Sequence, residues 1–563
     1  MSFIQRPNVT PRLRRLSSAA LAAGLLTLTA CGGGSGGGST GPSLLGSSSS
    51  SSSATSTSSS SSVSSASNLT WVEGRYESVD SYWDRCENPR TGIAPYNDQP
   101  YPDMPGSTTE ENFFLRSLTH FYYLWYDEVE DRDPALYSTA DYFQLMKTTE
   151  LTPTGTPKDQ FHWSAPTEEY LQRTESGVEA GYGVVWALIS TLPPREILVS
   201  YVQPGSPAAE AGLSRGARLL EIDGVNAVLD NSNAGIDTLN AGLFPTGLNE
   251  SHSFTVRDLN ADSDRTLELT STEITIAATP TVKTLETATG GVGYILFNSH
   301  IATAETALIE AVEQLRSDGV SDLVLDLRYN GGGYLDIANQ LAYMIAGGNA
   351  TGKPFSAMTF NDQHPNYDPF TGEALEPLMF HSTTQGFSED PGQALPTLDL
   401  NRLYVLTSAD TCSASEAIIN GLIGIDVEVI QIGSGTCGKP YGAYVLGNCG
   451  TSYFTTQFKS ANAKGFGEYS DGFFPGNAAS SNPAELPGCP VADDYTHLLG
   501  DPNEARLAAA LHYRNTGNCP ASSANKTQAG PQKSSIGSNE PTIRQPPGLG
   551  DMLLRQPTSG STL

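Results

Sequence analysis

Between residues 292 and 432 the chain alternates apolar strands with helices, and few architectures accept that pattern. Residues 292–297 form a strand, and 302–317 an amphipathic helix with Ala307, Leu308, Ala311, Val312 and Leu315 on one side. Residues 323–328 are a buried strand, followed by Tyr329-Asn330-Gly331-Gly332-Gly333-Tyr334 and a helix over 335–345. Strand 403–407, helix 417–423 and strand 427–432 complete the run. Strands separated by helices pack as a mostly parallel sheet with both faces covered. In open sheets of this kind, sites form outside the carboxyl ends of the strands.

Three turns leave those strand ends. The most informative is Cys412-Ser413-Ala414-Ser415-Glu416, which feeds strand 403–407 into an apolar helix. Strand, tight turn and helix expose a nucleophilic serine at a sheet end, with N–H groups of the helix start beside it. Gly438-Lys439 follows the next strand and offers a lysine as base. The Asn330-Gly331-Gly332-Gly333 run is most simply a loop needing positive φ. Paired with a nucleophile turn, it reads better as a source of N–H groups for an oxyanion.

Upstream, Thr108-Thr109-Glu110-Glu111 caps a helix over 112–128 whose apolar face is Phe113, Phe114, Leu118, Phe121, Leu124 and Trp125. A second short helix spans 140–148, and the two suggest a small accessory domain. Residues 170–275 carry a different signature. Two strands precede Gly205-Ser206-Pro207-Ala208-Ala209-Glu210-Ala211-Gly212-Leu213, and Gly216-Ala217-Arg218-Leu219-Leu220-Glu221-Ile222-Asp223-Gly224 follows. This segment resembles a PDZ domain of the bacterial protease type. One departure is Ala217, where that family usually has an acid. The resemblance implies that an extended C-terminal peptide adds as a strand. Gly181, Tyr182, Gly183 and Val184 would hold its carboxylate in a backbone nest.

With the PDZ-like segment, the motifs Asp326-Leu327-Arg328-Tyr329-Asn330-Gly331-Gly332-Gly333, Ser413-Ala414-Ser415-Glu416 and Gly438-Lys439 resemble the C-terminal processing peptidases. The likeness covers roughly residues 110–515. It implies a serine endopeptidase with a crotonase-like ββα sheet as its α/β core. Ser413 would be the nucleophile, Lys439 the general base, and the N–H groups of Gly331, Gly332 and Ala414 the oxyanion donors. A lysine is ordinarily protonated at neutral pH, so Lys439 must be buried to serve. Its neighbours Cys437, Gly438, Pro440 and Tyr441 include no acid. Ser415, with Glu416 in the first turn, is the better helix cap than Ser413. Many relatives carry a Gln four residues after the lysine. Here that position is Ala443, and Gln457 lies further on. His300 is the alternative base, as in tricorn-like enzymes, although a lone His there reads first as structural. No metal or other cofactor is implied.

The chain ends are of another kind. Arg6, Arg12, Arg14 and Arg15 precede an apolar run over 19–28, too short for a comfortable membrane span. Leu28-Thr29-Ala30-Cys31 resembles the bacterial lipoprotein box, which implies cleavage before Cys31 and its lipidation. With Gly32 in place of Asp, the same resemblance implies the outer membrane, facing the periplasm. A nearly pure Gly/Ser tether follows, of roughly 35 residues and about 30 Å root-mean-square span. The last stretch, rich in Pro, Gly, Gln and Ser, reads as disordered.

The expected organisation of the 563 residues is therefore α/β and multidomain. It runs as signal 1–30, tether 31–69, N-terminal helical domain 70–168, PDZ-like domain 169–278, peptidase domain 279–520 and tail 521–563. A net charge of −30, from 61 acidic against 31 basic residues, argues against nucleic acid as a partner. The expected partners are protein or peptide substrates with accessible C-termini, and a membrane through the lipid anchor. Without Cys31, six cysteines remain, an even number that suggests disulfides in an exported protein. The favoured pairs are Cys437–Cys449 across a hairpin, Cys489–Cys519 at the last helix, and Cys86–Cys412. A peptide-binding lipoprotein without turnover, or active only with a partner, is the second reading. An ester or carbohydrate hydrolase is the third, disfavoured by the PDZ-like segment and the missing Gly-x-Ser-x-Gly.

Overall fold

The computed structural model describes residues 69–152, 154–476 and 482–521, and the backbone of Met552–Leu554. The signal, Cys31 and nearly all of the tether lie outside those residues. Among the described residues no helix is long and apolar enough to cross a membrane.

The central sheet has seven strands. Their order is Thr281–Thr287, Gly290–Leu296, Asp322–Asp326, Arg402–Thr407, Glu428–Gly433, Glu485–Pro490 and Phe474–Gly476. The first two form an antiparallel hairpin and every later pairing is parallel. Asp322–Asp326 is buried along its whole length, as a strand covered on both faces must be. Alternation assigns neighbours to opposite cores. Ile295, Phe297, Leu325, Val405 and Val429 face one cluster. Tyr294, Leu296, Val324, Leu406 and Ile432 face another, closed by Leu507 and Ala510 of helix Ala505–Thr516. Helices Ala304–Ser317, Leu335–Ala346 and Ala414–Gly424 contribute to the first.

The N-terminal helices do not build a core of their own. Helix Thr108–Tyr122 starts at Ser107, whose Oγ accepts from the Glu110 N–H at 3.3 Å. Its Phe113, Phe114, Leu115 and Leu118 join the same cluster as the sheet residues, with Tyr142 and Phe143 of helix Thr139–Leu145. Strand Trp163–Pro166 adds to the hairpin Leu446–Asn448/Thr451–Phe454. The expected accessory domain is thus a layer on the α/β core, because its apolar stripe has nowhere else to be buried. Its first helix also stops at Tyr122, earlier than expected, and a short 3-10 turn occupies Tyr126–Glu128.

Residues 178–275 hold a separate core of Trp186, Val199, Leu219, Leu239, Phe254 and their neighbours. The sheet order is Arg265–Thr270, Ser251–Arg257, Arg218–Ile222, Glu196–Val202, Val184–Ser190, so the last strand is an edge.

Two further expectations are corrected. The disulfides are Cys86–Cys449, Cys412–Cys437 and Cys489–Cys519, so neither Cys437–Cys449 nor Cys86–Cys412 exists. Cys412 and Cys437 follow neighbouring parallel strands and leave the sheet at the same edge. Cys449 turns the hairpin towards the N-terminal layer that carries Cys86. Part of the tail is also ordered. Met552–Leu554 forms a strand between Gly333–Tyr334 and Tyr441–Tyr444, parallel to both. The rest of the expected tail beyond Ala521 lies outside the described residues.

Candidate active site

Asp326, Leu406 and Ile432 stand side by side in register, so the three turns leave the sheet at one level. Thr411 Oγ1 donates to the Leu327 carbonyl at 2.8 Å, and the Cys412 N–H to that of Asn330 at 3.1 Å. The Cys437 N–H donates to the Thr411 carbonyl at 3.0 Å. These bonds draw all three turns to a point.

Ser413 occupies that point. It is the N-cap residue of helix Ala414–Gly424 and has φ 59° and ψ −113°, a conformation costly for a residue with a Cβ. Ser415 is not the cap; its hydroxyl donates to the Asn330 carbonyl at 3.0 Å. Ser413 is fully buried and its Oγ makes no hydrogen bond. Gly332 lies directly against it: a Cβ on Gly332, at φ +112°, would stand 2.9 Å from the Ser413 Cβ and 3.1 Å from the Ala414 nitrogen. Only glycine allows this approach.

The expected oxyanion donors are not equivalent. The Gly332 N–H donates to Asn330 Oδ1 at 3.0 Å, so it is already engaged. The Ala414 N–H, at the first helical position, has no intrahelical acceptor. Gly331 lines the cavity above the turn. Asn330 Nδ2 donates to the Phe297 carbonyl at 3.0 Å, which leaves Oδ1 to accept from Gly332 and from His300 Nδ1 at 2.9 Å. His300 is buried, and burial lowers its pKa to about 3. It is a neutral brace behind the Gly-rich turn.

The Lys439 backbone comes from the third strand to the carboxylate of Glu416 that also holds the Ser413 N–H, and its Nζ makes no hydrogen bond to Ser413 Oγ. Lys439 is 3% exposed, and its ammonium lies 4.6 Å from the Phe161 ring centroid. Burial lowers its pKa to about 7, against the opposite pull of Asp159 and Glu416. Neither acid is near it in sequence; the fold supplies both. Asp159 is itself held by Tyr123, whose Oη donates to Oδ2 at 2.6 Å. Gln457 does not partner the lysine. Its side chain closes on the Tyr444 N–H and carbonyl, at 2.8 and 3.0 Å.

Glu416 joins the two motifs. Its Oε2 accepts from the Ser413 N–H at 2.9 Å and the Lys439 N–H at 2.8 Å. Oε1 accepts from the Gly438 N–H at 2.9 Å and Thr436 Oγ1 at 2.5 Å. Burial raises its pKa, and these four donors oppose the rise. Gly438 makes the bend possible: at φ +83°, a Cβ there would meet the Ser470 carbonyl oxygen at 2.3 Å. The sequence signal for this role was an acid three residues after the serine, which reads locally as a first-turn helix acid.

A cavity of about 1410 Å³ opens over the site. Gly331, Gly332, Cys412, Thr436, Cys437 and Phe161 line one part, and the edge strand Val184–Ser190 lines another. Of the expected carboxylate nest, Gly181 ends strand Val178–Gly181 and Val184 opens the edge strand. The Tyr182 carbonyl accepts from the Ala208 N–H at 3.0 Å, and the Gly183 carbonyl from the Gln203 N–H at 2.7 Å.

Residues 291–445 match peptidase family S41, and residues 198–234 match the PDZ domain. A carboxyl-terminal-processing protease of Picosynechococcus sp. is 30% identical over 277 residues, covering 48% of this chain and 58% of the relative. Its counterpart from Synechocystis sp. is 30% identical over 182 residues, covering 31% and 40%. The matches thus span less than two thirds of these relatives. A solved structure from Bacteroides fragilis NCTC 9343, assigned to the S41 proteases, is similar with TM-score 0.53 at 21% identity, over 74% of this chain and 98% of that one. That likeness concerns the fold. With its S41-type core and PDZ domain, the chain is similar to the carboxyl-terminal-processing proteases.

Proposed function

We propose that the chain is a serine endopeptidase with a Ser413/Lys439 dyad, acting on proteins whose C-termini are presented along the PDZ edge strand. The observation that carries this reading is Glu416, whose Oε2 holds the backbone N–H groups of both Ser413 and Lys439. Neutral Lys439 takes the Ser413 proton as Oγ attacks the peptide carbonyl. The developing oxyanion is met by the Ala414 N–H and the Gly331 turn. The protonated lysine returns its proton to the leaving amine, and water resolves the acyl-enzyme. Because the lysine must be neutral, turnover rises with pH through about 7.

The shared cavity supports delivery from the PDZ edge to the nucleophile. The lipoprotein-like Leu28-Thr29-Ala30-Cys31 supports a membrane-tethered enzyme of the cell envelope, working on extracytoplasmic proteins. The test uses the full chain and an unfolded protein with an apolar C-terminus. Wild type cleaves it, and Ser413→Ala and Lys439→Ala each lower the rate at least a thousandfold, the order seen for triad residues. Retained cleavage in Lys439→Ala overturns the dyad. An inert wild type that still binds the C-terminal peptide supports the binding-protein reading instead.

A further inference from the structure

Cys412 immediately precedes Ser413, and Cys437 precedes Lys439 by two positions. Their disulfide therefore bonds the nucleophile turn covalently to the base turn. The other bridges do different work. Cys86–Cys449 fastens the N-terminal layer to a hairpin, and Cys489–Cys519 fastens the segment after helix Ala505–Thr516 to a sheet strand. Each of the three bridges joins a buried cysteine to a part-buried one, but Cys412 and Cys437 both line the cavity, and Cys86, Cys449, Cys489 and Cys519 do not. A small dithiol entering the cleft meets this bridge beside the reacting groups.

We propose that the Cys412–Cys437 disulfide is a positioning element of the Ser413/Lys439 dyad, so that turnover requires its oxidised form and a dithiol switches the site off. This rests on the dyad reading. Between Gly433 and Tyr441 the base turn has no regular structure. Its ties to the nucleophile turn are the disulfide, the Cys437–Thr411 backbone bond and the Glu416 carboxylate. Reduction removes the covalent tie and restores the conformational freedom of the turn it closed.

Reduction also disturbs the carboxylate. Cys437 Sγ lies 3.3 Å from Glu416 Oε2, the oxygen that accepts from both the Ser413 and Lys439 N–H groups. In the step, the dithiol gives up two electrons and two protons and closes to its own disulfide. Cys412 and Cys437 each gain one electron and one proton. The new Cys437 thiol is then a further donor at an oxygen already shared by two. A looser base turn admits water to Lys439, and its pKa returns towards that of an exposed lysine.

The experiment uses the full chain, graded exposure to dithiothreitol, and alkylation with peptide mapping to follow each bridge. Two readouts are taken: kcat and KM against pH, and a carbon-13 titration of the Lys439 side chain, assigned by its loss in Lys439→Arg. Opening Cys412–Cys437 with the other bridges intact lowers kcat at neutral pH at least tenfold. KM stays within about twofold, and reoxidation restores the rate. The midpoint of the rising pH limb and the carbon titration both move upward. The Cys412→Ala/Cys437→Ala double variant behaves like the reduced chain, and Cys86→Ala/Cys449→Ala leaves both midpoints in place. Unchanged kcat and an unchanged Lys439 titration after confirmed opening overturn the inference. If the chain cleaves nothing in either state, the peptidase reading falls, and the carbon titration alone decides this one.

Discussion

At the residue scale, Lys439 sets the clearest expectation. Its pKa in the folded chain is lowered to about 7, with burial the main cause. An unfolded lysine titrates near 10.4. Between those values the unfolded chain holds the extra proton, so stability rises with pH across that window. Below pH 7 the burial penalty is fully present, with an upper bound of roughly 5 kcal/mol. Lys439→Met removes the charge and keeps most of the volume. The variant is therefore more stable than wild type at pH 6, and the difference shrinks towards zero by about pH 10, as urea midpoints at the two pH values check. A difference that grows with pH contradicts the assignment. The placement of Ser413 and Lys439 at strand ends was legible in the sequence because each follows a strand whose periodicity is plain. Glu416 was not, because three of its four donors lie more than a helix away in the chain and become neighbours only when parallel strands align. Asp159 was hidden for the same reason.

At the scale of elements, strands and helices of the α/β core fell close to their expected spans, since both faces are buried and the apolar runs are unbroken. The elements that were missed are those with weak local signals. Met552–Leu554 is three residues inside a stretch of Pro, Gly and polar residues, and its partners are more than 100 positions away. Its order comes from two open edges, Gly333–Tyr334 and Tyr441–Tyr444, that one added strand satisfies together. Leu553→Pro removes a backbone donor from the middle of that strand. Hydrogen exchange at Gly333 and Ala443 is then expected to speed up about tenfold or more in the full chain, with the core strands Asp322–Asp326 and Arg402–Thr407 unaffected, as are Tyr334 and Tyr444, whose N–H groups donate to the His300 carbonyl and to Gln457 Oε1. Equal exchange in variant and wild type contradicts the pairing. The disulfides teach a related lesson: spacing suggested Cys437–Cys449 across a hairpin, whereas strand register decides which cysteines meet.

At the scale of the whole molecule, one buried network ties the PDZ domain to the Gly-rich turn. Arg215 lies in the PDZ segment, and its Nη1 donates to Tyr329 Oη at 2.6 Å, next to Asn330. Its Nη2 donates to Asp493 Oδ1 at 2.7 Å and to the Asp494 carbonyl at 3.1 Å, and its Nε to the His497 carbonyl at 3.1 Å. Asp493 also accepts from Arg328 Nη1 at 2.7 Å and from Tyr329 Oη at 2.5 Å. Arg328 is paired in turn with Asp326 and Glu504 in full burial. Burial pushes the Asp493 carboxyl up, and Arg506, Arg328 and Arg215 together pull it far below the usual carboxylate range. Removing one partner from such a cluster leaves buried charge uncompensated and costs about 3–5 kcal/mol. The cost falls where the Gly331 turn is anchored, which gives the PDZ domain a physical handle on that turn. Arg215→Ala is therefore expected to lower kcat at least tenfold on a short peptide that bypasses the PDZ edge, with KM for that peptide changed little. Arg215→Lys, which keeps the charge but not the fork of donors, should recover only part of the rate. If Arg215→Ala is folded and kcat on the short peptide matches wild type, the network is a structural seam between the domains and the PDZ acts by delivery alone.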